Sequence, residues 1–393
     1  MNRKQLKDII QNKLGIRQNP HVLQMPITSR CNSRCKTCNV WKEKDLVDID
    51  PVRLKTILAG KFFSEVSAVG INGGEFTLVP NFLEILKAVL TLPKLSSVHL
   101  ITNGLFPKRL FEYLQETKSL CTEKNVSLNI CLSIDGIGEI HERVRGVPNC
   151  WNKSLEIIEE IYNNTTRYCN RFSIGCTLSQ YNIEYVREIE NFFKSYPGLS
   201  IEYHIAVPNR RIRTFNDYQD YYLLQDEKLR MLATEFFYEK FLFAKSENEK
   251  RQMFVNYYFL KNKGRGRLCK CDYLNRDVTI DENLNVVLCA TASREIGNLQ
   301  QDSVESIFKQ NARREARQLR RLCDTCVHYS YHTLTIRGRI KYIHELIKAA
   351  IYEYYEIKAT PSWWSRNKRL LRFYLRITKQ YLRMVYSYIW KLQ

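Results

Sequence analysis

The chain has 393 residues, room for one large domain or two ordinary ones, and its 44% apolar and 12% aromatic content excludes a disordered chain. No uncharged apolar run nears the roughly 18–20 residues that span a bilayer, and the N-terminal MNRKQLKDIIQNKLG lacks an apolar signal core and cleavage site, which predicts an unprocessed cytoplasmic protein. The formal charge of +20 points first to nucleic acid, yet Arg337 to Gln393 holds 13 Lys and Arg against 3 Glu, so half the excess lies in one terminal segment.

In chain order, residues 1–20 read as a helical lead-in. Six β-rich runs follow: VLQMPIT (22–28), VSAVGIN (66–72), SVHLIT (97–102), VSLNICLSI (126–134), RFSIGCTL (171–178) and SIEYHIAV (200–207). Between them lie DIDPVRLKTILA, VPNFLEILKAVLTL, LFPKRLFEYLQETKSL, CWNKSLEIIEEIY and NIEYVREIENFFKS. Several of these repeat apolar residues at i, i+3 and i+4 behind a capping residue or proline, as crossover helices do. Alternating β and α units predict an α/β fold with a parallel sheet over 21–207. Six units are too few to close an eight-fold barrel, so a partial, open (β/α)6 barrel is expected, with chemistry at the C-terminal strand ends. A doubly wound sheet is the alternative on pattern alone.

Residues 208–265 read as a helical linker region ending in KNKGRGRLC, and 266–332 as a small cysteine-rich α+β domain. The basic tail, 333–393, reads as two helical stretches broken at ATPSWW by Pro361. In its second half Arg372, Arg376, Lys379 and Arg383 share a helical face beside an apolar stripe of Leu370, Tyr374, Ile377, Tyr381, Val385 and Tyr388. Such a helix suits an anionic membrane surface, which adds a peripheral membrane location to the cytoplasmic one; packing on the barrel is the competing reading. No nucleic-acid module accompanies the tail, which argues against a nucleic-acid partner.

Of the 13 cysteines, Cys121, Cys131, Cys150, Cys169 and Cys176 stand alone and read as buried thiols. The others form two clusters. Cys31, Cys35 and Cys38 lie in ITSRCNSRCKTCNVW, directly after the first strand, on a loop at the barrel mouth. Three thiolates ligate three irons of a cubane and leave the fourth open, whereas an electron-transfer cluster takes four cysteines. A structural zinc site needs four protein ligands, and no fourth Cys or His is near in sequence.

This CxxxCxxC loop resembles the signature of the radical S-adenosylmethionine superfamily. The residue before the third cysteine, often aromatic there, is Thr37 here, with Trp41 downstream. The resemblance implies a four-iron four-sulfur cluster on Cys31, Cys35 and Cys38, with S-adenosyl-L-methionine at the open iron. Strand two ends in INGGEFTL, whose Gly73, Gly74 and Glu75 resemble the family's GGE contact to the cofactor's amino group; glycine lets the backbone approach, and a carboxylate suits an ammonium. Further pocket elements implied are Asn103 in ITNG, Ser133 and Asp135 in LSIDG for the ribose, Arg143 or Arg145 in HERVRG for the carboxylate, and Asn182 after strand five. Ordinary turn chemistry accounts equally for the N-G and D-G dipeptides. In the family, reductive cleavage of the cofactor gives a 5′-deoxyadenosyl radical that abstracts a substrate hydrogen, so no general base need be visible in the sequence. An electron donor such as flavodoxin or ferredoxin is the implied partner.

The second cluster holds Cys269, Cys271, Cys289, Cys323 and Cys326, five candidates for four positions. VTIDENLNVVLC reads as a β-hairpin that brings Cys271 and Cys289 together, and CDTC closes the site. This resembles the twitch and SPASM auxiliary-cluster domains, the shorter twitch type fitting the cysteine count, although the usual turn glycine is Leu284. Either Cys269 or Cys271 can be the ligand. A fully ligated auxiliary four-iron four-sulfur cluster accepts electrons, which implies an oxidation; a zinc knuckle is the competing reading. The expected substrate is a peptide residue or a sugar-like alcohol. About 30 residues precede Cys31, too few for a leader-peptide-binding domain, so a ribosomal peptide is not specially favoured. The rival function is a non-enzymatic zinc or iron–sulfur scaffold with a docking tail.

Overall fold

The computed structural model describes residues 19–378 except 275, 290, 328–332, 360, 361, 363, 364 and 376. The lead-in at 1–18, the break at Pro361 and the tail beyond residue 378 lie outside the described residues.

All six expected strands form: β1 (Val22–Pro26), β2 (Ala68–Asn72), β3 (Ser97–Thr102), β4 (Ser127–Ser133), β5 (Arg171–Leu178) and β6 (Ser200–Ile205). They pair in parallel in strict sequence order, 6-5-4-3-2-1. A doubly wound sheet reverses its order at a switch point; this one never does, so it is the partial barrel. In β3, Val98 and Leu100 are buried beneath the helices while His99, on the opposite face, borders the lumen. The period-2 alternation of a strand sorts the side chains in this way.

The crossover helices are α1 (Pro51–Leu58), α2 (Phe82–Val89), α3 (Pro107–Glu123), α4 (Glu139–Arg145), α5 (Cys150–Asn163) and α6 (Val186–Phe193). Pro51 and Pro107 start their helices where no N–H is needed, and the Asp50 carboxylate caps α1 by accepting from Val52 N. Ile157, Ile158 and Ile161 of α5 are fully buried, each burial contributing about 1.5–3 kcal/mol. Helix α4, which sequence periodicity does not reveal, spans seven residues and stops at Gly146, whose left-handed φ of 66° only glycine adopts freely.

Helices α7 (Glu227–Phe243) and α8 (Glu247–Lys261) pack on each other. The turn after α8 is compact: Lys263, Gly264 and Gly266 have positive φ, and a Cβ on Gly264 would lie 2.1 Å from Leu224. Strands β7 (Val278–Ile280), β8 (Asn285–Val287) and β9 (Glu295–Asn298) follow. The expected hairpin is β7–β8, and β7 adds to β1 in parallel, Leu23 opposite Val278, so the hairpin, with β9 paired beyond it, extends the barrel sheet to nine strands. Helices α9 (Arg313–Leu322) and α10 (Ile336–Lys358) follow. Among the described residues no helix is long and apolar enough to cross a membrane.

Candidate active site

The cysteine loop is held from two sides. From α4, the carbonyls of Val144 and Arg145 accept hydrogen bonds from Lys36 N and Arg34 N, both 2.9 Å, and the Ser33 hydroxyl donates to Arg145 O at 3.1 Å. From β2, Gly74 N donates to Thr28 O at 2.8 Å and Glu75 N to Arg30 O at 2.7 Å. The approach is so close that a Cβ on Gly74 would sit 1.8 Å from Arg30 O. The glycines of GGE therefore serve the packing of β2 on the cysteine loop. Trp41 Nε1 donates to Cys38 O at 2.8 Å, and the Arg34 guanidinium lies over its ring.

Two donors are aimed at the sulfurs, Arg145 Nη1 3.5 Å from Cys35 Sγ and Asn103 Nδ2 3.8 Å from Cys31 Sγ, while Ser33 Oγ lies 3.1 Å from Cys35 Sγ with its own proton given to Arg145 O. Burial pushes the Cys31 thiol up to about 11 and the Cys38 thiol up to about 12, so both are neutral without a metal. Iron must displace those protons, and donors directed at sulfur then stabilise the thiolates. Burial pulls the Arg145 guanidinium down, but Asp135 and Cys35 outweigh it and raise it above its ordinary value. A fixed cation beside three clustered thiols fits an anionic iron–sulfur cluster.

Beneath the loop runs a cavity of about 580 Å³, within the size range of small-molecule sites. Cys31, Cys35, Cys38, Gly73, Gly74, Asn103, Ser133, Asp135 and Arg145 all border it. Asp135 is engaged there, its Oδ1 accepting from Thr177 N at 2.9 Å and its Oδ2 pairing with Arg145 Nε at 3.1 Å. The other three expected residues stand elsewhere. Glu75 is fully buried behind the wall, its carboxylate accepting from Thr77 N, the Thr77 and Thr102 hydroxyls and Asn103 N. Asn182 braces the loops after β4 and β5, donating to Asp135 O and Thr177 O, both 2.9 Å. Arg143 donates outward to Tyr181 O at 3.3 Å and lies over the Tyr185 ring.

The lumen also carries His99, Glu202 and His204, which a motif search misses. Their signal was present in the sequence, since all three are polar residues at lumen-facing positions of strands. Burial lowers both imidazoles from their ordinary value, so at pH 7 they are neutral and able to donate and accept.

Tyr273 borders both the lumen and a second small pocket walled by Cys271, Cys289, Cys323 and Cys326. Cys269 is buried away from that pocket, in a β-bridge with Leu334. Of the two alternatives left by sequence, Cys271 is thus the one placed with the other three. Arg267 reaches in beside them, its Nη2 buried without a hydrogen-bond partner. A buried cation next to four thiols again fits an anionic group. Among the described residues, no three Cys, His, Asp or Glu side chains are grouped as ligands of one metal ion. The thiolates of a cubane stand on separate iron corners and are spread more widely than those around a single ion at about 2.3 Å.

Residues 25–193, most of the barrel, match the sequence model of the Radical SAM superfamily. The match ends before the second cysteine cluster. The fold extends the likeness further along the chain. A structure of native anSMEcpe with bound AdoMet, 18% identical, superposes with a TM-score of 0.56 over 84% of this chain and 96% of that one. With bound AdoMet and Cp18Cys peptide the figures are 19%, 0.54, 84% and 97%. Streptococcus suis SuiB bound to precursor peptide SuiA is 14% identical, with a TM-score of 0.52 over 77% of this chain and 68% of that chain. These likenesses are of fold. No curated protein matches the chain in sequence.

Proposed function

We propose that this protein is a radical S-adenosylmethionine enzyme that modifies, by oxidation, a peptide or sugar-like substrate held in the barrel lumen between two iron–sulfur sites. The observation that carries this reading is one cavity bordered by Cys31, Cys35 and Cys38 and also by Tyr273, which borders the second cysteine pocket as well. When bound, the cofactor and the reduced cluster supply a 5′-deoxyadenosyl radical, the species that takes a hydrogen atom from substrate.

The chain's own residues bind, orient and exclude water. Cys31, Cys35 and Cys38 would hold the cluster, and Asn103 and Arg145 would offset its negative charge. Glu75 positions Asn103 through its backbone N–H, and Asp135 holds the Arg145 side chain at the sulfurs. His99, Glu202 and His204 offer hydrogen bonds to a polar substrate inside the wall. Cys271, Cys289, Cys323 and Cys326 would ligate an auxiliary cluster on all four irons, an arrangement suited to receiving an electron. The peptides named in the anSMEcpe and SuiB structures favour a peptide over a sugar-like substrate.

Anaerobic reconstitution tests the reading. The protein should bind about eight irons and, given dithionite, cleave S-adenosylmethionine to methionine and 5′-deoxyadenosine. Replacing Cys31, Cys35 and Cys38 together by Ala should halve the iron and abolish cleavage. Zinc in the first site with no cleavage defeats the proposal and leaves the scaffold reading.

A further inference from the structure

Helix α10 is mounted by a mixed face, on which Tyr342, Leu346 and Ile357 accompany the buried Glu345. Gly338 packs on the Leu268 carbonyl, where a Cβ would come within 2.2 Å. The Tyr342 ring sits 5.6 and 5.1 Å from Phe241 and Phe254, and its hydroxyl donates to Glu247 Oε1 at 3.0 Å. Glu345, buried one turn on, accepts from Lys261 Nζ and the Tyr257 hydroxyl, both at 3.0 Å. The N-terminus is capped by the Thr335 hydroxyl, which accepts from Gly338 N. These contacts fix α10 on α7 and α8, as a helix is ordinarily fixed by its apolar stripe.

A second apolar stripe points out. Ile336, Ile340, Ile347 and Ile351 are 79, 62, 53 and 52% exposed, and at 100° per residue they fall within a band about 60° wide. Arg337, Lys341 and Lys348 run along one border of that band. The helix's acids are turned away from it: Glu345 faces the core, and Glu353 and Glu356 lie well round the helix from the isoleucines. Tyr352 and Tyr355, each 68% exposed, stand near the C-terminal end. Phe373, 6.0 Å from Tyr354, brings residues 365–375 alongside, with further exposed Leu371, Leu375, Arg369 and Arg372.

We propose that this outward face of α10 docks in the plane of an anionic lipid bilayer. A stripe of isoleucines bordered by Lys and Arg, with tyrosines at one end, has the arrangement of an interfacial helix: the apolar band enters the acyl boundary while the long basic stems reach up to anionic headgroups. Charge decides against a second copy of this chain, because pairing two such faces would bring two rows of cations together on a protein of formal charge +20. A 23-residue helix is about 35 Å long, so the contact lies along the surface and sets the barrel's orientation to it. The inference is independent of the proposed catalysis.

Co-sedimentation of the full-length protein with vesicles tests it. Binding to vesicles containing phosphatidylglycerol should exceed binding to phosphatidylcholine alone by at least tenfold. A triple change, Ile340→Asp with Ile347→Asp and Ile351→Asp, should lower that binding at least tenfold while leaving the thermal transition and iron content as in the parent. Arg337→Gln with Lys341→Gln and Lys348→Gln should remove most of the preference for anionic lipid, each cation being worth about fivefold. The proposal is overturned if the aspartate variant sediments like the parent. It is equally overturned if deleting residues 366–393 abolishes binding that the aspartate variant retains, or if light scattering shows a dimer that the aspartate changes dissolve.

Discussion

Arg145 shows how much one buried cation organises. It spans the Asp135 carboxylate and the Cys35 sulfur, and its backbone carbonyl receives the cysteine loop. Arg145→Met keeps the stem but leaves Asp135 buried without its counter-charge, and breaking such a pair costs about 3–5 kcal/mol. The apo protein should melt markedly lower, and the reconstituted variant should lose iron from the first site before the second, read by iron analysis during dialysis. Gly74→Ala acts through sterics. Its Cβ would meet Arg30 O at 1.8 Å, backbone against backbone, so the cysteine loop must move; iron at the first site and cofactor cleavage should both fall at least tenfold, while iron at the second site stays. Glu75 is where the residue type was legible and its place was not. A carboxylate after two glycines reads as a partner for an ammonium, yet four donors from the protein already surround it. Whether a carboxylate faces a ligand or braces a wall depends on which strands flank it.

At the scale of elements, the hairpin carries the clearest lesson. Its turn lacks the usual glycine, yet Leu284 still adopts the left-handed backbone, with φ of 64°. The side chain is 2% exposed and part of the core, and the Asp281 carboxylate ties the turn by accepting from Asn283 N and Asn285 N. Leu284→Gly would relieve about 1–2 kcal/mol of backbone strain but forfeit about 2–5 kcal/mol of buried side chain. The net is a loss, so urea unfolding should show a lower midpoint; a higher one would mean that strain dominates. The hairpin itself was readable from its alternation and Asp/Asn turn. Its pairing with β1 was not, because three-residue strands say nothing about which edge they join. Helix α4 was missed for the same want of length, although the arginine and Gly146 at its end were a usable stop signal.

For the molecule as a whole, the buried thiols set a pH dependence. Cys31 and Cys289 are pushed up to about 11, and Cys38 and Cys323 to about 12, from an ordinary 9.0, by burial above all. A group whose folded value is raised keeps its stabilising effect below the unfolded value and loses it as pH climbs toward the folded one. The apo protein should therefore lose stability between about pH 9 and pH 12 in chemical denaturation. Iron-loaded protein should show a much weaker slope, since bound thiolates no longer take up protons. By itself the sequence determined the parallel (β/α)6 order, the cysteine loop at the mouth and the hairpin with its CDTC partner, because strand and helix periodicities and short cysteine spacings are local. Only the tertiary structure decided that Cys271 and not Cys269 borders the second cysteine pocket, that Glu75 and Asn182 brace the wall, and that α10 turns four of its isoleucines outward. Those outcomes depend on contacts between residues far apart in the chain, and local pattern carries no information about which distant surface a side chain will meet.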